Sequence, residues 1–266
     1  MYFMIYIILA HDSSKMLSLL IEKLRDKNNY FVIHIDQQQD IQPFVKAVAG
    51  NENCYFTPKR YASKWGSFAL VEATLHAFDF ITKKIKKNQR IVLLSGADLP
   101  IKSNVYINQY FEHHDDTIFI DYHPIPRQTW AFGGVHRFPL YEEVSQYIKF
   151  YGGSQWFSIP SKAINIIFKF LKDSPDFLDY FQYVQIPDES FFQTLFLNCE
   201  HPYILKNLKN QHLHYIKWEE PYIHPSVLTA MDMSELNNSK SLYARKFTIE
   251  QSSDILSLLM EDHAKQ

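Results

Sequence analysis

The sequence predicts an α/β protein with a mostly parallel central sheet flanked by helices. Three observations carry this. Residues 2–10 are a continuous apolar, β-prone run, as a central parallel strand should be, and residues 30–35 make a second buried strand. The stretches that follow them place apolar residues at helical spacing. Strand then alternates with helix across the first half of the chain, which is the pattern of βαβ units.

Each element has its own local reason. Over 13–26, Met16, Leu17, Leu20, Ile21 and Leu24 share one helical face. The run YFVIHI (30–35) is a strand ending at Asp36. A short helix near 42–48 and a strand near 53–57 follow. Residues 66–86 read as a long helix with Phe68, Val71, Leu75, Phe78 and Ile81 on its apolar stripe. RIVLLS (90–95) and TIFID (117–121) are the next strands. The second half is less regular. GGSQWFSIP (152–160) reads as a turn, a strand and the proline-marked start of a helix through 172. YVQIPDESFFQTLF (183–196) reads as a helix opened by Pro187, where a missing N–H costs nothing. HLHYIKW (212–218) alternates like a half-buried strand, 224–247 is loop, short helix and loop, and 249–261 looks helical. No repeat, low-complexity segment or linker interrupts this, so a single domain over 1–266 is the expectation.

Bulk properties narrow the function. The formal net charge of −2 provides no basic field for nucleic acid. The 46% hydrophobic content supports a full core, and the 16% aromatic content serves either that core or stacking on sugar rings. Two cysteines, Cys54 and Cys199, are no disulfide framework and fit reduced thiols. The apolar opening MYFMIYIILAH is too short to span a bilayer and lacks a basic leader or cleavage site. With no other transmembrane candidate, the expectation is a soluble, cytoplasmic protein.

In parallel sheets, ligands bind beyond the carboxyl ends of the strands. His11 and Asp12, Asp36, and Ser95 with Asp98 follow three such ends, although Asp and Ser also suit ordinary turns. Asp188 and Glu189 follow Pro187 and precede the apolar Phe191, Phe192 and Leu195. They either complement a helix dipole or provide a fixed, partly shielded base for an alcohol. The chain contains no Asp-x-Asp pair for a divalent cation, and His212 with His214 are only two potential ligands. No glycine-rich phosphate loop and no Gly-x-Ser-x-Gly elbow occurs. Arg245 and Lys246 are either a solvated dibasic step or cations for a departing diphosphate. Trp65 precedes a helix, Trp156 reads as core, and Trp218 at a strand end is the better sugar-stacking candidate.

IILAH, YFVIHID, the R-x4-WG of residues 60–66, LLSGADLPIKS, GSQWFS, PDESFFQTLFLN, HYIKW and ARKF occur in this order. In that ordered set the chain resembles glycosyltransferase family 14 over about residues 2–247. That family holds core-2/I-branching β-1,6-N-acetylglucosaminyltransferases, peptide O-xylosyltransferases and short soluble bacterial members. The resemblance implies a GT-A-type fold, UDP-sugar donors, inversion and no metal or other cofactor. A nucleotide-binding half over about 1–121 and an acceptor half over about 122–266 are then expected. By the same resemblance Glu189 is the catalytic base, while Arg245 and Lys246 hold the phosphates. Ala10, His11, Asp36, Ser63, Lys64, Trp65, Asp98, Gln155 and Trp156 join the nucleotide-sugar site. Asp188 and Trp218 join the acceptor site. His224 stands where animal relatives carry arginine or serine near the phosphate. The expected partners are a UDP-sugar and a saccharide acceptor, on a lipid carrier at the inner face of a bacterial plasma membrane. A carbohydrate-binding or scaffold protein of the same fold, or a retaining or metal-dependent transferase, is the alternative.

Overall fold

Strand β1 (Met4–Ala10) is buried at every position, which accounts for its unbroken apolar sequence. The computed structural model describes residues 3–85, 89–219 and 224–264. Helix α1 (Ser14–Leu24) is capped by Ser13, whose hydroxyl accepts from Met16 N at 3.2 Å. Strand β2 (Asn29–Ile35), helix α2 (Gln42–Ala47, with Pro43 in its first turn) and strand β3 (Cys54–Phe56) follow. Helix α3 (Ala69–Lys84) leads to β4 (Arg90–Ser95), a two-residue β5 (Leu99–Pro100) and α4 (Asn104–Glu112). Next come β6 (Ile118–Ile120), β7 (His123–Pro124), α5 (Tyr141–Val144), β8 (Tyr151–Gly152) and β9 (Phe157–Pro160). The remaining elements are α6 (Lys162–Asp173), α7 (Pro175–Phe181), α8 (Phe191–Asn198), α9 (Pro202–Asn207) and β10 (Leu208–Asn210). The chain closes with β11 (His214–Ile216), α10 (Met233–Asn238), β12 (Tyr243–Arg245) and α11 (Ser253–Ala264).

The elements form an α/β fold with a mostly parallel central sheet, and they divide into two compact units interleaved along the chain. One comprises residues 1–58, 93–115 and 213–266. In it, β1 pairs in parallel with β2, and β2 with β3. A smaller sheet in the same unit runs β11–β12–β5, with β11 and β12 parallel and β5 antiparallel. The other unit comprises 59–92 and 116–212. There β10 and β6 are parallel, and β9 runs antiparallel to β6 and to the first residues of β4. Its core is aromatic. Phe191 packs 5.2 Å from Phe181, and Phe192 packs 4.9 Å from Phe157 (ring centroids).

The expected helix over 183–196 is corrected in one detail that matters for the site. Pro187–Glu189 form a single 3-10 turn, and α8 starts only at Phe191. Ser190 (φ −147, ψ −23) lies outside the helical region and separates the turn from α8, while Ile186 ahead of the turn is left-handed (φ 52). Glu189 therefore stands on a tight turn ahead of the helix. Cys54 and Cys199 are both free thiols. Among the described residues no helix is long and apolar enough to cross a membrane.

Candidate functional site

The first constellation gathers at the ends of β1, β2 and β4. The Asp36 amide donates to Ala10 O at 2.9 Å, and the Gly96 amide donates to Leu9 O at 2.9 Å. Ala10, Asp36 and the turn Ser95–Asp98 are thereby brought together. Asp36 is buried, and its carboxylate accepts from Gln38 N at 2.8 Å. His11 and Asp12 are exposed beside them, with Nε2 and Oδ2 3.2 Å apart.

Asp98 is the most deeply enclosed charge of this group, with 0% exposure. Its Oδ2 accepts from Ser95 N at 2.8 Å and its Oδ1 from Ser95 Oγ at 2.5 Å. Nε of Arg245 lies 3.5 Å from Oδ1, and Nε2 of His214 lies 3.4 Å from Oδ2. Burial alone would push this carboxyl up. The Arg245 guanidinium, His214 and Ser95 outweigh that and hold it below the usual carboxylate range. His214 is itself buried, and burial lowers its pKa despite Asp98, so its ring is neutral near pH 7. Asp98, one of the residues expected in the nucleotide-sugar site, has no exposed surface. Lys246 follows Arg245 through a cis peptide bond and is half-buried.

The second constellation surrounds Glu189. Its Oε2 accepts from Nη1 of Arg137 at 2.7 Å, with side-chain exposures of 33% and 16% that leave the carboxylate the more accessible partner. The Arg137 guanidinium lies 4.0 Å from the centre of the Trp130 ring, a cation–π contact. Trp130 owes its seat to glycine. A Cβ on Gly152 would lie 2.6 Å from the indole, and one on Gly134 2.7 Å. Gly153 serves Glu189 directly by donating from its amide to Glu189 O at 2.8 Å. A Cβ there would lie 2.0 Å from Asp121 O, so only glycine fits. Two further backbone bonds stitch the turn in place: Gln185 N to Arg137 O at 2.9 Å, and Ile186 N to Gly66 O at 3.0 Å.

Arg137 was not anticipated. Fifty-two positions separate it from Glu189, and it lies in an irregular stretch with no periodicity. The available signal was WAFGGVHR, where two of only seven glycines sit between a tryptophan and an arginine.

Other expected residues fall as follows. Trp65 is 74% exposed and adjoins Gly66, whose carbonyl holds the Glu189 loop, while Ser63 is half-buried and Lys64 exposed. Gln155 is half-buried, and Trp156 is buried at 4%. Asp188 is half-buried beside Glu189. Trp218 is 57% exposed on a loop held by Lys217, which bridges Asp232 (2.7 Å) and Glu219 (3.1 Å). His224 is exposed. Among the described residues no three His, Cys, Asp or Glu side chains group as metal ligands.

The molecule is thus an α/β protein with a mostly parallel sheet and polar residues at its strand ends. More narrowly, the model of the Core-2/I-Branching enzyme family matches residues 4–240, and the chain belongs to that family. A xylosyltransferase of Ciona intestinalis is 24% identical over 280 residues, covering 91% of this chain and 32% of that protein. Human xylosyltransferase 1 is 22% identical over 74% of this chain and 22% of its own length. The Arabidopsis thaliana β-glucuronosyltransferase GlcAT14A is 22% identical over 84% of this chain and 56% of its own. The chain thus spans a third or less of the xylosyltransferases it matches. Among solved structures, the galactosyltransferase LgtC in complex with donor and acceptor sugar analogues aligns over 98% of this chain and 95% of its own, at 11% identity and a TM-score of 0.47.

Proposed function

We propose that this chain is an inverting glycosyltransferase that moves a sugar from a UDP-sugar to a hydroxyl of a saccharide acceptor without a bound metal. The observation that carries the reading is the brace on Glu189, a carboxylate with one oxygen gripped by Arg137 and a third of its side chain open. In the proposed reaction the acceptor oxygen attacks the anomeric carbon while Glu189 accepts its proton. The new C–O bond forms as the bond to the β-phosphate oxygen breaks, and UDP leaves with the electron pair. Arg245 and Lys246 offset the charge that builds on the diphosphate. A single displacement converts an α-linked donor into a β-linked product.

Xylose and N-acetylglucosamine are the proposed donor sugars. The name of the Arabidopsis relative adds glucuronic acid. The acceptor we propose is a growing surface polysaccharide of a bacterium, held on a lipid carrier at the cytoplasmic face of the membrane. Trp218, exposed on its clamped loop, suits the flat face of an acceptor sugar.

A thermal-shift screen of UDP, UDP-xylose, UDP-N-acetylglucosamine and UDP-glucuronic acid, with GDP-mannose as control, tests the donor class. A ligand at a hundredfold excess over its Kd adds about 2.7 kcal/mol, or about 5 to 10 °C in Tm for a chain of this size. UDP and at least one UDP-sugar should produce that rise. A flat response to every uridine compound contradicts the assignment and favours a glycan-binding protein.

A further inference from the structure

We infer that Asp98 is a positioning residue: buried beneath Arg245 and steadied by Ser95 and His214, it fixes the guanidinium that meets the donor diphosphate. This rests on the reading above that Arg245 serves the diphosphate, and it adds a group that never touches the ligand. The register of β5 and β12 makes the case. Leu99 pairs with Ala244 and Pro100 with Tyr243, so one more step along this antiparallel ladder sets Asp98 opposite Arg245. The Phe247 amide donates to Ala97 O at 2.9 Å, which continues the pairing past the last ladder residue. On the other side of β12, His214 aligns with Tyr243 and Ile216 with Arg245. Alternation then puts Tyr243 and Arg245 on one face, and the His214 and Tyr243 rings lie 5.4 Å apart.

A fully buried carboxylate is costly unless it is paired and hydrogen-bonded. Replacing such a pair with apolar residues often leaves stability unchanged, so stability alone is weak reason to keep it. Orientation is the stronger reason. Arginine presents five N–H donors in a rigid fork, more than one carboxylate takes up. With Nε 3.5 Å from Oδ1, the buried charge of Asp98 holds the guanidinium by ion-pair attraction and limits where the fork can lie. Ser95 fixes the carboxylate in turn. Its hydroxyl binds Oδ1, the oxygen that faces Arg245, while accepting from Ala97 N at 3.1 Å. Every part of this relay lies within the unit that includes residues 93–115 and 213–266.

The test compares UDP and uridine binding by titration calorimetry in wild type, Arg245→Ala, Asp98→Asn and the double variant, with circular dichroism and Tm recorded for each. Asp98→Asn should weaken UDP by about tenfold or more, close to the loss in Arg245→Ala, with uridine affinity unchanged. The double variant should bind UDP no worse than the weaker single variant. Ser95→Ala, which leaves both charges in place, should weaken UDP by a smaller factor and again spare uridine. That variant decides the matter should Asp98→Asn fail to fold. Wild-type UDP affinity in folded Asp98→Asn or in Ser95→Ala, alongside a loss in Arg245→Ala, overturns the relay and leaves the diphosphate reading standing. Equal losses for UDP and uridine also overturn it, because that is the signature of general damage. Unchanged UDP affinity in Arg245→Ala removes the diphosphate reading, and the relay with it.

Discussion

Glu189→Gln should lower kcat by about 10² to 10⁴ while leaving UDP affinity and fold intact, the range expected when a positioned general base is removed. The amide is nearly isosteric, so the 3-10 turn and the aromatic core behind it remain. Phe191 and Phe192 hold that turn through ring contacts with Phe181, Phe177 and Phe157, none of which involves the carboxylate. What the substitution removes, on the proposed mechanism, is the oxygen that accepts the acceptor proton. The deficit should therefore appear in kcat measured with saturating donor and acceptor. A variant with near-normal turnover takes Glu189 out of the chemistry and leaves it a structural partner of Arg137.

Arg137→Ala should lower kcat by about 10², the order of loss produced when a reacting group moves by about 1 Å. The pair is 2.7 Å long and the arginine is only 16% exposed, so removing it frees the carboxylate to swing and leaves its charge unbalanced. Trp130 loses its cation–π partner in the same step. Arg137→Lys should recover only part of the activity. Lysine keeps the charge but has no planar fork to lie on the indole and bond Oε2 at once. Steady-state kinetics on both variants, with Tm as a control for fold, check this. Full activity in Arg137→Ala shows that Glu189 needs no brace.

How far these features were legible in the sequence follows from their range. The strands β1 and β2 were plain because β1 is apolar throughout and β2 is apolar but for Asn29 and His34. Helix α1 was plain because Met16, Leu17, Leu20, Ile21 and Leu24, all buried, share one face. The aromatic backing of Glu189 was legible from Phe191 and Phe192, which lie within three residues of it. The turn that carries Glu189 was read as helix, since a left-handed Ile186 leaves no mark in composition. Arg137 was invisible for a different reason. Its position depends on a chain of seats: Gly134 and Gly152 make room for Trp130, Trp130 supports the guanidinium, and Gln185 ties Arg137 to the Glu189 loop. Such long-range fits have no period. The enclosure of Asp98 was likewise hidden, because it depends on β12 returning from 145 residues further along the chain to pair with β5. The chain also passes repeatedly between its two compact units, at 58/59, 92/93, 115/116 and 212/213.

The central claim is a single displacement at the anomeric carbon, assisted by one carboxylate and without a metal. The most direct test is anomer-resolved proton NMR of the product that the wild-type protein forms from an α-linked UDP-sugar in excess EDTA. The account predicts a β-linked product, formed at the rate seen without chelator. An α-linked product, or a rate abolished by EDTA and restored by Mn²⁺, contradicts it.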